Sequence, residues 1–244
     1  MIKDYISFYS NKKFYKVKLK KFIFIISNLK FFKAYLNFVF PLTELSVLLR
    51  TLPKIDNCID VGSNKGQFAL IFQKYFNSAK IYSFEPQING IKLQKKFLKN
   101  SKFFNLCLGN FNGTSSFNIT NREDSSSLLK PKIYTKTIYK ISKIIRTKVR
   151  RLDNVLKLNP KQTNLLKIDV QGYEYEVLLG SKKTLKNIKF IIIELSSSMN
   201  YFKQVDKSKI IHFLKNNNFN IKKIYNINYN GKLWQADYLF IKKN

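Results

Sequence analysis

The octapeptide Ile59-Asp60-Val61-Gly62-Ser63-Asn64-Lys65-Gly66 joins the end of an apolar run to a turn that contains two glycines. Residues 58–61 predict a short buried strand, and residues 66–76 predict a helix because their apolar side chains recur at helical spacing. Glycines in such a turn let the backbone approach a bound molecule and place the N-terminus of the helix beside it. The octapeptide therefore predicts a strand, a ligand-binding turn and a helix, in that order.

Glu85 follows the next predicted strand, residues 80–84, and lies roughly 20 residues after the turn, where a carboxylate can accept hydrogen bonds from both ribose hydroxyls. Dinucleotide-binding turns carry closely spaced glycines in the order G-x-G-x-x-G, whereas three residues separate Gly62 from Gly66. This spacing favours an adenosine-containing cofactor without a pyrophosphate, namely S-adenosylmethionine. Its predicted cradle comprises Asp60, Gly62, Ser63, Asn64 and Gly66, with Glu85 as the ribose ligand.

The remainder of the chain alternates predicted strands and helices, which is typical of parallel βαβ units and a doubly wound α/β sheet. The predicted strands are residues 103–108, 165–170, 190–195, 219–225 and 234–241, and the predicted helices are residues 88–98, 173–180 and 207–216. The last two strands are expected to form an antiparallel pair. Residues 110–148 interrupt this pattern and are predicted to form an insertion, with a strand at 114–120 and a substrate-side loop, before a further strand at 147–152.

Four motifs, taken in order, resemble the signatures of the FkbM family of methyltransferases. They are DVGSNKG at residues 60–66, FEP at 84–86, RLD at 151–153 and KIDVQGYE at 167–174, with Ser125–Ser127 and Glu194 at further family positions. The resemblance runs from about residue 56 to the C-terminus and leaves out residues 1–50. It implies a class I, Rossmann-like methyltransferase fold with a mostly parallel seven-stranded sheet whose last strand is antiparallel.

The same resemblance implies O-methyl transfer to a sugar hydroxyl of a surface glycan, a glycolipid or a related metabolite, as in polysaccharide biosynthesis. Asp169 lies at the end of the predicted strand 165–170, at the edge of the sheet where ligands bind. It is expected to contact the cofactor and to be the catalytic residue, although orienting the cofactor, acting as a base and binding a cation remain open. The candidate substrate residues are Asp124, Ser125, Glu174 and Glu194. Clustered carboxylates leave a divalent metal open, but no metal is predicted, and no acid–base role is given to Gln171, since some members carry Glu there.

The charge balance is strongly basic, because 45 lysines and arginines against 14 acidic residues give +31. Such a charge suits nucleic acid, an anionic membrane or an acidic glycan, and a composition biased toward Lys, Asn, Ile and Phe explains it at least as well. Only five of the basic residues are arginines, the side chain best suited to phosphates and base edges. A nucleic-acid partner is therefore disfavoured, but an RNA-binding protein or RNA methyltransferase that uses the basic surface stays as the alternative, beside a basic membrane-associated domain without catalysis.

Residues 1–50 are predicted to form a basic, aromatic-rich helical extension, and residues 51–244 the methyltransferase domain. The apolar residues Phe14, Val17, Leu19, Phe22, Ile25 and Leu29 approximate one helical stripe. Packing on the domain is the favoured explanation, and a basic amphipathic helix lying on a membrane is the alternative. With no apolar run long enough to span a bilayer, no signal peptide and only two cysteines, we expect a cytoplasmic protein with peripheral contact at the inner membrane face.

Overall fold

The computed structural model describes residue 19 and residues 21–132, 139–229 and 233–243. One sheet contains seven strands, β1 (Asn57–Val61), β2 (Lys80–Phe84), β3 (Ser101–Phe104), β7 (Asn164–Ile168), β8 (Phe190–Ser196), β9 (Phe219–Tyr229) and β10 (Leu233–Lys242). Their order is β3-β2-β1-β7-β8-β10-β9. The first five strands in this order run parallel to one another, whereas β10 is antiparallel to both β8 and β9. The prediction of a mostly parallel seven-stranded sheet with an antiparallel last strand is confirmed.

Helices cover both faces of this sheet. Successive residues of its central strands are apolar and point to opposite sides, so each face has an apolar core that must be covered. Cys58 and Leu165 belong to one apolar core, and their neighbours Ile59 and Leu166 belong to the other. Helices α1 (Leu29–Leu36), α2 (Ser46–Leu49), α3 (Gln67–Tyr75) and α4 (Ile88–Phe97) lie on the first side, and α5 (Leu152–Val155), α6 (Glu174–Leu179) and α7 (Lys207–Asn216) lie on the second. The result is a three-layer α/β fold.

The central strands β1 and β7 are buried along their whole length and pair in parallel register. Val61 is aligned with Ile168, so Gly62 and Asp169 follow them at the same edge of the sheet. Residues two apart on a strand share a face, and Asp60 is aligned with Lys167. The register therefore brings two predicted motifs together and places a buried lysine beside Asp60.

A smaller, three-stranded sheet has the order β4-β6-β5 and contains β4 (Cys107–Leu108), β5 (Gly113–Thr120) and β6 (Ile141–Arg150). The single strand predicted at 103–108 is wrong, because β3 pairs with β2 whereas β4 pairs with β6 of the small sheet. Between β3 and β4, the Asn105 side-chain amide donates to the carbonyls of Glu85 and Pro86. The strand predicted at 147–152 also begins too late, because residues 141–146, with the sequence ISKIIR, already pair with β5.

The N-terminal region is helical at residues 21–26 and in α1, but it does not form one continuous stripe. Asn28 separates the two segments and caps α1, accepting hydrogen bonds from the backbone N–H groups of Lys30 and Phe31. Ile25, Phe31 and Ala34 are buried in the core, whereas Phe22 and Leu29 are exposed. The predicted stripe is therefore wrong apart from Ile25, and its members Phe14 and Val17 lie outside the described residues.

Short 3-10 helices complete the fold at Thr43–Leu45, Glu123–Ser125 and Thr184–Asn187. In the described ranges, no helix is both long enough and apolar enough to cross a bilayer. Cys58 and Cys107 are free and buried in β1 and β4, and burial raises the pKa of both thiols. The domain boundary at residue 50 stays a prediction, although residues on both sides of it contribute to one core.

Candidate active site

A cavity of about 550 Å³ opens at the carboxyl ends of β1, β2, β7 and β8. Seven of the 14 acidic residues of the chain line it, namely Glu44, Glu85, Glu123, Asp124, Asp169, Glu194 and Asp237. Among its described lining residues the cations are Lys167 and Arg122, and each pairs with a lining carboxylate, at 3.0 Å from Asp169 and 3.4 Å from Asp124. The cavity is thus acidic although the chain as a whole is strongly basic.

The first turn forms one wall of this cavity through Gly62, Ser63 and Asn64. Gly62 has a φ of +77°, and a Cβ atom there would lie 1.8 Å from the backbone oxygen of Asp169. Only glycine fits this close approach of two chain segments. The N–H groups of Gly62 and Ser63 donate to the carbonyl of Phe84, so the turn is also tied to the end of β2.

The remaining cradle residues differ in their access to the cavity. The Ser63 hydroxyl lies 2.7 Å from the Ser83 hydroxyl and 2.9 Å from the Gln94 side-chain nitrogen, in a buried network beneath the turn. Gly66, at a φ of +87°, precedes the first residue of α3 and does not line the cavity. Ser63 and Gly66 are therefore placed to shape the turn, and Asn64 and Gly62 to present its backbone.

Glu85 is buried at the end of β2 and lines the cavity. Its two carboxylate oxygens accept hydrogen bonds of 2.8 Å from the backbone N–H groups of Asn64 and Gln87. Burial raises its pKa to about 7, against the lowering effect of those two hydrogen bonds. The carboxylate is thus held in one orientation and retains lone pairs for further donors.

Asp60, Lys167 and Asp169 form a chain of charges on one side of the sheet. The Lys167 ammonium lies 3.9 Å from Asp60 Oδ1 and 3.0 Å from Asp169 Oδ2. Burial raises the pKa of Asp60 to about 6, although Lys167 opposes this. Burial alone would lower the pKa of Lys167, but Asp169 and Asp60 raise it above its usual value. Asp60 is not among the residues that line the cavity, and neither of its oxygens has a hydrogen-bond donor among the described residues.

Asp169 is the part of this charge chain that reaches the cavity, with about a quarter of its side chain exposed. Its Oδ1 accepts a hydrogen bond of 2.8 Å from the Gln171 side chain, and its Oδ2 is held by Lys167. Two donors from its own segment therefore fix the carboxylate while one edge remains open to a ligand.

Glu194 and Asp237 extend the acidic lining from β8 and β10, where the strand register aligns them. Gln171 donates to Glu194 at 3.3 Å, and Asn226 donates to Asp237 at 2.7 Å. Burial raises the pKa of Glu194 well above its usual range and that of Asp237 to about 6, and the charge of Asp169 adds to both effects. The sequence analysis did not identify Asp237 as a residue of the cavity. It also gave no role to Lys167, although a lysine inside the apolar run of β7 indicates a buried charge that needs an acidic partner.

The predicted substrate loop forms the opposite wall. Asp124 and Ser125 line the cavity, and the backbone oxygen of Ser125 accepts a hydrogen bond of 2.8 Å from the Tyr201 hydroxyl. Lys65, in the first turn, forms an ion pair of 2.8 Å with Glu123 of this loop. The loop is thus attached both to the turn and to the region after β8.

Other candidate residues lie away from the main cavity. Glu174 accepts hydrogen bonds from the backbone N–H groups of Val170 and Gly172, and it lines a small adjoining cavity. Burial raises its pKa to about 7. In the RLD motif, the Asp153 carboxylate binds the backbone of Lys183 and Thr184, which is a structural role. Within the described ranges, no group of three His, Cys, Asp or Glu side chains is arranged to hold a metal ion.

Comparison with known proteins supplies independent information. Residues 60–221 match the family described as the methyltransferase FkbM domain. The 2-O-methyltransferase NoeI of Sinorhizobium fredii is 27% identical over 191 residues, which cover 71% of this chain and 79% of that protein.

Two solved structures resemble the fold at low sequence identity. Magnesium protoporphyrin IX methyltransferase of Synechocystis PCC 6803, crystallised with bound S-adenosylmethionine, aligns with a TM-score of 0.47 and 11% identity over 82% of this chain and 77% of that one. An rRNA methylase of Streptococcus thermophilus aligns with a TM-score of 0.48 and 10% identity over 83% and 96%.

Proposed function

The chain belongs to the FkbM methyltransferase family, and on this premise we propose that it transfers the methyl group of S-adenosylmethionine to a sugar hydroxyl. The acidic cavity carries the proposal, because seven carboxylates and two internally paired cations suit a cationic donor and an uncharged acceptor. A surface glycan, a glycolipid or a related metabolite is the proposed carrier of that sugar.

The charge of the cavity lining supports the assignment of cofactor-binding residues. Glu85, held by two backbone N–H groups, is proposed to accept the ribose hydroxyls. Gly62 and Asn64 are proposed to present the turn backbone beside the adenosine and methionine portions. A dinucleotide is disfavoured, since its pyrophosphate would face an excess of carboxylates without a free cation in the described lining. Asp60 is proposed to act by holding Lys167 rather than by direct contact.

The acceptor side of the cavity favours hydroxyl groups over anionic groups. Asp124, Glu194 and Asp237 offer carboxylate oxygens, and Gln235 and Asn226 add amide groups. Such a set can accept hydrogen bonds from several hydroxyls of one sugar, whereas a phosphate or uronate would be repelled. The relative named as a 2-O-methyltransferase supports oxygen as the receiving atom.

When bound, the cofactor supplies an electrophilic methyl group on a positively charged sulfur, so the protein mainly has to orient the acceptor and take up its proton. We assign proton uptake to Asp169, whose carboxylate is oriented by Lys167 and Gln171. Lys167 places a positive charge 3.0 Å from the Asp169 carboxylate and, together with Gln171, fixes its orientation.

Methyl transfer from radiolabelled S-adenosylmethionine to separated glycan, glycolipid and RNA fractions of the source cells tests the acceptor class. We expect label in the glycan or glycolipid fraction, as an alkali-stable methyl ether of a sugar. Label confined to RNA would contradict the sugar proposal and support the alternative based on the basic surface.

Asp169→Asn tests the proposed base separately. General-base catalysis contributes about 10²–10⁴-fold, so we expect kcat to fall within that range while the affinity for S-adenosylhomocysteine, measured by calorimetry, changes less than about tenfold. Glu176→Gln, on α6 and outside the lining of the cavity, is the matched control and should retain most of kcat. A variant with unchanged kcat would exclude Asp169 as the base.

A further inference from the structure

The N-terminal helices present an apolar surface to solvent, here called the outer face. Nine of the 17 exposed large hydrophobic side chains in the described part of the chain fall within residues 19–40. They are Leu19, Phe22, Ile23, Ile26, Leu29, Phe32, Leu36, Phe38 and Phe40. Contiguous exposed apolar surface of this kind marks an interaction site more often than isolated exposed residues do.

Helical spacing places these side chains on one side of each segment. In α1, Leu29, Phe32 and Leu36 are three and four residues apart and point outward, while Phe31 and Ala34 are buried. Leu19, Phe22, Ile23 and Ile26 follow the same spacing in the preceding segment. Each segment therefore has two apolar faces, one in the core and one exposed.

Phe38 shows that an exposed aromatic is retained at a conformational cost. The end of α1 is a Schellman motif, in which Val39 N–H donates to the Ala34 carbonyl and Phe38 N–H donates to the Tyr35 carbonyl. Phe38 occupies the left-handed position of this motif, with a φ of +58°, where glycine or asparagine is favoured. Its ring remains 74% exposed, so packing within the described chain does not account for it.

The N-terminal segment that carries the outer face is strongly basic. Lys33 is exposed and lies between Leu29 and Leu36 on the same side of α1, and Lys21 of the preceding segment pairs with Glu44 at 3.0 Å. Residues 1–43 contain one acidic residue, Asp4, against nine lysines: Lys3, Lys12, Lys13, Lys16, Lys18, Lys20, Lys21, Lys30 and Lys33. An exposed apolar face within a lysine-rich segment is the pattern of a helix that lies on an anionic bilayer.

We propose that the outer face docks the protein on an anionic lipid surface. The docked segment continues directly into Leu42, Glu44 and Leu45, which line the main cavity. Docking would thus hold one wall of the active site close to the lipid headgroups. This inference does not depend on the identity of the acceptor, because it rests on the exposed side chains and charges alone.

Co-sedimentation of the full chain with vesicles tests the proposal. We expect binding to vesicles of phosphatidylcholine mixed with an equal amount of phosphatidylglycerol, and weak binding to phosphatidylcholine alone. The decisive variant is Phe38→Gly combined with Leu36→Ser, since glycine suits the left-handed position and should keep or improve the stability of the helix end. Binding should fall about tenfold or more, with no loss of thermal stability. Ile144→Ser, which replaces a similarly exposed residue of β6, is the control and should bind as the wild type does.

The contribution of charge is tested with Lys33→Glu against Lys222→Glu, which changes the net charge equally at an exposed site on β9. Lys33→Glu should lower binding about tenfold, and Lys222→Glu much less. Equal losses in both would mean that only the overall charge matters and would overturn the docking face. Unchanged vesicle binding by the Phe38→Gly, Leu36→Ser variant would also overturn the proposal. A third contradicting outcome is a wild type that binds no vesicles but forms a dimer in light scattering, if this double variant abolishes the dimer.

Discussion

Glu85→Gln gives the most quantitative test of the site, through the pH dependence of stability. The folded pKa of Glu85 is about 7, against a usual value of 4.5, because burial disfavours its charged form. Between these two values the folded protein binds more protons than the unfolded chain, so the free energy of unfolding decreases as the pH rises through this window. A difference of about 2.5 units corresponds to about 3 kcal/mol. Asp60, Glu174 and Asp237 are shifted in the same direction and add to the loss in the wild type.

Urea unfolding of the ligand-free wild type, Glu85→Gln and Glu123→Gln at about pH 5 and about pH 8 measures this contribution. We expect the wild type and Glu123→Gln to lose stability between these pH values, and Glu85→Gln to lose about 3 kcal/mol less. Parallel pH profiles for wild type and Glu85→Gln would refute the reasoning. Calorimetry with S-adenosylhomocysteine should show tighter binding to the wild type as the pH rises through about 7, because the ionised carboxylate accepts two hydroxyl hydrogen bonds.

Two further predictions separate positions that hold the site together from positions that do not. Gly62→Ala should lower the free energy of unfolding in urea by about 3 kcal/mol or more, because its Cβ would overlap the backbone oxygen of Asp169. Gly113→Ala, which meets only a movable Phe111 ring at 3.1 Å, should cost less than about 1 kcal/mol, and equal losses would contradict the steric argument. Asp153→Ala should cost about 1–3 kcal/mol, since it leaves backbone N–H groups at residues 183 and 184 without their acceptor. The affinity for S-adenosylhomocysteine should stay within about twofold in this variant, and a larger loss would give the RLD motif a direct role in the site.

The sequence allowed the sheet to be predicted because its central strands are short apolar runs separated by turn residues. Helix 207–216 was predicted to the residue, since Asp206 caps its start and apolar residues recur at helical spacing. The order of the motifs also indicated which strand ends meet, because carboxyl ends of parallel strands lie at one edge.

The less predictable features depend on contacts between distant segments. The presence of Asp237 in the cavity follows from the antiparallel register of β10 with β8, which is not visible in the local pattern of β10. The contact of Asp60 with the cofactor stays a prediction; its carboxylate lies 3.9 Å from the Lys167 ammonium, and this pairing across β1 and β7 could not be read from either strand alone. The N-terminal stripe could not be resolved into buried and exposed residues because both faces of each segment are apolar.

The contact between Gly62 and the backbone of Asp169 also restricts how this enzyme could acquire new acceptors. Two loops that touch backbone to backbone cannot be remodelled one at a time, so insertions or larger residues at either loop would disturb the donor site as well. Other walls are joined to this turn only through side chains or lie on separate parts of the chain: the loop at residues 121–128 is tied to it by the Lys65–Glu123 ion pair, and Asn226 and Gln235 come from the last two strands. Substitutions that change the acceptor, whether natural or selected by directed evolution, should therefore occur mainly in the loop at residues 121–128 and at Asn226 and Gln235.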